Sequence, residues 1–308
     1  MLFLLQALPY DTTMRLRPSY IDHDGFRMPK GFPVAGFVSG LTYQPRAADI
    51  LISTYPKCGT TWMQHIVWLI LNHGEPLAAT VKMTDVIPHL EEVGSDFVER
   101  LPGPRVIKTH LTHALCPSHP EMKVIYVTRN PFDCAVSFYH HTRGFPQHYA
   151  FEEGTFEDYF ECFVAGEVDF GDYFENVGSW LDHVDEPNYL FLTYEQMKAD
   201  PRAAVQAVGA FLGPELGAAV DDAAALERIL DHSSFASMRK DQLRWSSKRP
   251  DDMPSFVRKG VVGDWANHFS PEQTGRLLAR LDDSPHAARL RALWPEIIEG
   301  AASFAGAG

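Results

Sequence analysis

The stretch ILISTYPKCGTTWMQHIVWLI, residues 50–70, reads as a β-branched strand, a tight polar turn and an amphipathic helix. A strand that runs through a glycine-bearing turn into a helix N-terminus aims the free N–H groups of the first helical turn, and the helix dipole, at whatever the turn holds. Lys57 adds a full positive charge. Thr60 and Thr61 add hydroxyl donors that can also cap the helix. A Walker A loop would carry a glycine four residues before Gly-Lys-Ser/Thr. Here the lysine precedes Gly59 and no such earlier glycine exists, so this is a P-loop-like phosphate turn of another kind.

The totals narrow the field around it. The chain has 308 residues, 45% hydrophobic and 22% charged, which suits one large or two small domains with a packed core. A net charge of −13 disfavours a nucleic-acid groove or an anionic membrane as the main partner, so any anion site must be a local basic cluster in an acidic protein. Cys58, Cys116, Cys134 and Cys162 show neither a C-x-x-C pair nor Cys/His ligand spacing, which suggests neither zinc nor a disulfide framework. Reduced thiols in a cytoplasmic protein are the expectation. The opening MLFLLQALPYD is too short for a signal peptide and lacks a basic n-region, and no run approaches the ~18 apolar residues of a membrane helix.

Residues 1–45, with GFRMPKGFPVAGF, read as an irregular N-terminal wrap. Strands are expected at 49–54, 105–109, 123–128 and 188–193, and helices at 60–73, 131–143, 155–165, 171–184, 201–212, 221–230, 270–281 and 286–299. Short apolar strands separated by helices predict a single α/β domain over 1–308, its central parallel sheet flanked by helices. The stretch 239–260 has no period and reads as a flexible active-site loop, while the tail 300–308 is expected to fray.

In an open parallel sheet, ligands sit at the carboxyl ends of the strands. Three consecutive strand ends carry charged or hydroxyl residues: the turn at 55–61, KTHLTH at 108–113 and TRNPFDCAVSFYHH at 128–141. Each has a bland reading. The turn could be an ordinary strand–helix connection, Arg129 a helix-end ion pair with Asp133, Ser137 a neutral filler and His110 a satisfied structural histidine. In FVRKGVVGDW, 256–265, Arg258 and Lys259 beside Gly260 make a positive site open to close backbone approach, where the bland reading is a solvated basic pair. The coincidence of matching loops favours the functional readings.

Together, TYPKCGTTW, KTHL, TRNPFDCAVSFYHH, YEQMKADP, HSSF and RKGVVGDW resemble, in order and spacing over roughly residues 30–295, the cytosolic sulfotransferases. The resemblance implies transfer of a sulfuryl group from 3′-phosphoadenosine 5′-phosphosulfate (PAPS) to the hydroxyl or amine of a small-molecule acceptor, releasing the bisphosphate PAP and needing no metal. It implies that Lys57, Cys58, Gly59, Thr60 and Thr61 cradle the 5′-phosphosulfate, with Lys57 on the bridging oxygen and Lys108 at the sulfuryl end. It places Arg129, Ser137, Arg258, Lys259 and Gly260 on the 3′-phosphate. Trp62 and Phe235 would sandwich the adenine, helped by Ser233, Met238 and Tyr194, and His110 would take the acceptor's proton. The acceptor itself is expected among Phe26, Phe32, Phe37, His89, Lys108, His110, His141 and Phe145.

Three departures from the family pattern stand out. Cys58 occupies a position usually held by serine, a better donor. The dimer motif Lys-x-x-x-Thr-Val-x-x-x-Glu after GDW reads here as Ala266, Ser270-Pro271 and Gly275, so a monomer, or a dimer through another surface, is expected. His89 and His141 stand where many phenol-sulfating members clamp the ring with phenylalanines, which implies a more polar pocket suited to a phenol or a phenolic amine such as dopamine or octopamine. The competing readings are sulfation of another alcohol or sterol, a nucleotide kinase, and a non-catalytic nucleotide- or ligand-binding member of the fold. A kinase would need a Walker A loop or magnesium carboxylates, and a non-catalytic protein could lose Lys57 and His110 freely.

Overall fold

In the computed structural model, which describes residues 15–245, 250, 253 and 255–307, a hairpin of β1 (Tyr20–His23) and β2 (Phe26–Pro29) precedes the sheet. Asp24 and Gly25, both at positive φ, make its two-residue turn. The sheet is parallel, in the order β4–β3–β5–β6, from β3 (Ile50–Thr54), β4 (Val106–Thr109), β5 (Lys123–Thr128) and β6 (Tyr189–Thr193). Every residue of β3 is buried, as a central strand covered on both faces requires. Alternate residues serve opposite layers. Ile50, Ile52, Ile125 and Val127 pack under Met63, Ile66, Val67 and Ile70 of the helix Thr60–Leu71. Leu51, Ile107, Val124 and Tyr126 pack against Tyr43, Leu90 and Trp180 on the other side.

Three expectations need correction. The N-terminal wrap, where described, contains the β1–β2 hairpin and a helix, Val34–Leu41, rather than irregular chain. The helix expected over 286–299 is two, Ala287–Leu293 and Pro295–Ala305, because Pro295 has no N–H to continue the first and its fixed φ suits the start of the second. Residues 300–305, expected to fray, lie in that second helix, which Ile298 and Ala301 anchor in the core. The expected loop at 239–260 starts on the last residue of the helix Phe235–Arg239 and carries a short helix, Gln242–Trp245; positions 246–249, 251–252 and 254 lie outside the described residues.

Candidate active site

The carboxyl ends of the strands open onto one cavity of about 540 Å³. The turn after β3 enters it with Lys57 at φ 71 and Gly59 at φ 101, so two left-handed residues bend the chain before the helix begins at Thr60. Left-handed backbone is ordinary for glycine and strained for lysine. The bend brings Lys57 Nζ to 3.2 Å from Nδ1 of His141, which it can only donate to, and 4.5 Å from the centre of the Phe256 ring. Gly59, Thr60, Thr61 and Trp62 line the cavity with Lys57. Cys58 does not: its side chain is fully buried in the core, its sulfur 3.8 Å from that of Cys134. The resemblance placed Cys58 in the cradle; a thiol is apolar enough to be turned inward instead, so only its backbone remains in the turn.

His110 follows β4 and is 8% exposed. Its Nδ1 lies 2.8 Å from the carbonyl oxygen of Thr54. A carbonyl can only accept, so Nδ1 carries the hydrogen and Nε2 is left with a lone pair. Burial, then the neighbouring His89 and Lys108, push the imidazole well below its ordinary pKa, so it is neutral at physiological pH. Its backbone is fixed on both sides: the N–H donates to Glu91 Oε1 at 2.6 Å and the carbonyl accepts from Asn176 Nδ2 at 2.9 Å. Lys108 lines the same cavity, and burial lowers its pKa also.

The basic residues after β5 and at 258–260 meet on the opposite side. Arg129, 8% exposed, donates to the carbonyl of Val261 at 3.0 Å, and its guanidinium lies 4.4 Å from the centre of the Tyr194 ring. Its ion pair with Asp133 is long, 3.8 Å, because Asp133 is occupied elsewhere, accepting from the backbone N–H groups of Gly263 at 2.8 Å and Trp265 at 3.1 Å. Asp133 therefore ties the helix Pro131–Arg143 to the chain that carries Arg258 and Lys259. Asp264 holds both cations, 2.8 Å from Arg258 and 2.7 Å from Lys259. Against the upward push of burial, those two cations keep the Asp264 carboxyl below its ordinary pKa. Gly260, at φ 62, passes so close to Phe235 that a Cβ would sit 2.3 Å from its ring. Ser137, Ser233, Phe235 and Met238 complete this wall with Tyr194.

At the other end stand His89, His141, Phe32 and Phe145. His89 Nε2 is 3.4 Å from Glu91 Oε2, and its ring lies edge-on to those of His110 and Phe32 at 4.7 and 4.9 Å. Phe26 and Phe37, expected here, do not line this cavity. Phe37 points from its helix into a small core with Met28 and Leu111, and Phe26 stacks on it at 4.8 Å, because the hairpin and the helix need an apolar interface of their own.

Residues 47–284 match the family model described as the Sulfotransferase domain. The chain belongs to the sulfotransferase family. Its relatives include Sulfotransferase 1B1 of Mus musculus, 36% identical over 253 residues that cover 75% of this chain and 81% of that one, and Sulfotransferase 1C2 of Homo sapiens, 36% identical over 253 residues, 76% and 82% of the two chains. The crystal structure of the mouse sulfotransferase SULT7A1 complexed with PAP superposes with a TM-score of 0.70 at 26% identity, covering 89% of this chain and 98% of that one.

Sequence reasoning missed several parts of this sulfotransferase's cavity wall: Tyr149, Asp169, Phe170, Lys198 and Phe256. Lys198 Nζ lies 5.9 Å from the Trp62 ring and 6.0 Å from that of Phe235, linking the two rings named for the adenine. Asp169 and Phe170 lie in a turn between helices that has no period, flanked by Gly166 and Gly171 at positive φ; those glycines were the available signal. Among the described residues no group of three or more His, Cys, Asp or Glu could hold a metal ion, and no helix is long and apolar enough to cross a membrane.

Proposed function

We propose that this sulfotransferase takes PAPS as donor and a small phenol or phenolic amine as acceptor. One observation carries the reading: the Nδ1 hydrogen bond to Thr54 leaves the Nε2 lone pair of buried, neutral His110 as a base in the cavity that also holds Lys57 and Lys108. The donor side fits a bisphosphorylated nucleotide. Arg129 Nε is buried with no hydrogen-bond partner, and Gly260, which lines the cavity with Arg258 and Lys259, has no side chain to stand between its backbone and a phosphate. Arg129, Ser137, Arg258, Lys259 and Gly260 would hold the 3′-phosphate, Trp62 and Phe235 the base, and the turn from Lys57 to Thr61 the 5′ end.

When bound, PAPS supplies a sulfuryl group whose bond to the phosphate oxygen breaks as the acceptor oxygen attacks sulfur. His110 Nε2 receives the acceptor's proton. Lys57 and the N–H groups at the start of the helix Thr60–Leu71 would stabilise the charge left on the departing oxygen. Lys108 offers a second cation on the sulfuryl side. The alternative acceptors, other alcohols or sterols, would lay a largely apolar skeleton against a wall to which His89 and His141 contribute polar rings, where a second hydroxyl or an amine finds hydrogen-bonding groups. Labelled PAPS incubated with simple phenols, phenolic amines, sterols and aliphatic alcohols tests the reading; label moving to none of the phenols overturns it.

Donor affinity is expected to depend on the 3′-phosphate. A charge-assisted hydrogen bond is worth ~1.5–3 kcal/mol, so Arg129→Ala or Arg258→Ala is expected to weaken PAP binding by about one to two decades in calorimetry. Equal affinity of the wild type for donors with and without the 3′-phosphate would sink the assignment. A monomer, or a dimer through another surface, is expected in light scattering at micromolar concentration, because Ala266, Pro271 and Gly275 break the family's dimer motif. A dimer that substitutions at 266–275 dissociate would contradict this.

A further inference from the structure

Asp169 is 1% exposed, belongs to the wall of the cavity that holds His110, and has no part in the transfer as set out above. It sits in the turn between the helices Phe156–Val164 and Tyr173–Leu181, where Phe170 at φ 65 and Gly171 at φ 76 take left-handed backbone. A phenylalanine in that region is strained and persists only where its surroundings impose it. The bend lets two consecutive side chains, Asp169 and Phe170, reach one cavity wall, whereas extended chain would send them to opposite faces.

The carboxyl is only partly satisfied. Its Oδ2 accepts from the Tyr149 hydroxyl at 2.7 Å, and its Oδ1 is buried with no hydrogen-bond partner. Burial pushes its pKa up to about 7, against the pull of the Tyr149 hydroxyl, its own backbone N–H and the Lys57 ammonium. A carboxyl in that state is tipped to the anion by any cation that arrives beside it, and the buried pair then favours ligands that bring the charge. Phe170 connects this group to the chemistry: its ring lies edge-on, 5.0 Å from that of His110. An acceptor ring laid against Phe170 would share one cavity with His110 and Asp169.

We propose that Asp169 selects the acceptor, taking the ammonium group of a phenol that bears a short aminoalkyl tail while His110 takes the phenolic proton. The proposal rests on the phenol-sulfating reading and narrows it to cationic members. The competing role for Asp169 is structural, closing the turn through Tyr149.

Tyramine and para-propylphenol separate the two, since they match in shape and differ by a terminal ammonium against a methyl. At neutral pH the wild type is expected to prefer tyramine in kcat/KM. Asp169→Asn keeps the size of the side chain and an acceptor for Tyr149 but removes the charge. It is expected to lower the tyramine-to-para-propylphenol ratio by about tenfold or more, through KM for tyramine. An unchanged ratio, with both activities falling together, identifies a structural role and overturns the proposal. Should the variant fail to fold, competition between the two phenols for the wild-type enzyme–PAP complex decides: tighter tyramine binding supports the proposal, and equal or tighter para-propylphenol binding overturns it. A wild type that sulfates para-propylphenol and not tyramine overturns the role of Asp169 and leaves the phenol reading standing; one that sulfates neither overturns both.

Discussion

His110→Asn is expected to lower turnover by ~10²–10⁴-fold while PAP affinity stays within about twofold, because the substitution removes a proton acceptor and little else. Asparagine is the informative replacement. Nδ1 of His110 donates to the Thr54 carbonyl at 2.8 Å, and an asparagine Nδ2 can donate in its place. Alanine would leave that buried carbonyl without its donor, at ~1–3 kcal/mol, and would mix a stability loss with a chemical one. The measurement is single-turnover transfer of labelled sulfate per folded molecule. Near-full turnover would overturn the base role, and a lowered melting temperature with turnover per folded molecule intact would mark a structural histidine. The wild type carries a second check. A base works when unprotonated, and burial with His89 and Lys108 holds this one well below its ordinary 6.5. Turnover should therefore persist as pH falls through that value; a loss with its midpoint there would contradict the depressed pKa.

The part of the site proposed for the donor is legible in the sequence because its residues lie in contiguous motifs at strand ends, where the direction of the chain already fixes what faces the cavity. The turn at 55–61, Arg129 after β5 and the 258–260 segment all converge on one cavity for that reason. What the motifs do not carry is side-chain direction within a bent turn. Cys58 lies between two left-handed residues, and that bend, invisible in a string of letters, turns its thiol inward. The end of the cavity proposed for the acceptor is less legible still, since its wall comes from segments distant in sequence: Phe32, His89, His141, Tyr149 and Asp169. The resemblance puts Phe26 and Phe37 among the rings that stack on an acceptor, yet tertiary packing uses them to join the hairpin to the helix Val34–Leu41. Asp169 and Phe170 went unread because neither helical nor strand periodicity marks a turn. The sheet, by contrast, is read within a residue at its ends, since buried β-branched runs between helices admit few other arrangements.

Lys57→Gly is expected to cost activity and, beside Lys57→Ala, to spare the fold. Turnover should fall by ~10²–10³-fold, the loss typical when one group facing the developing charge is removed, while PAP affinity falls by less. The stability expectation comes from the backbone. Lys57 holds φ 71, which for a residue with a Cβ costs ~1–2 kcal/mol and for glycine almost nothing. Glycine gives back part of that relief by loosening the unfolded chain, by ~0.4–1 kcal/mol. Lys57→Ala keeps the strain and loses the same ammonium, with its hydrogen bond to His141 and its contact over Phe256. The two variants therefore differ almost entirely in backbone, and the glycine variant should be the more stable by up to ~1.6 kcal/mol in urea unfolding. In relaxed backbone the order would be reversed, because alanine restricts the unfolded chain more. An alanine variant as stable as the glycine variant would show that the turn is not strained. Near-wild-type turnover in either would show that the bend does not place Lys57 at the reacting oxygen. Both expected results together would mean that the chain tolerates an unfavourable φ at this one position because the bend delivers the ammonium group to the cavity.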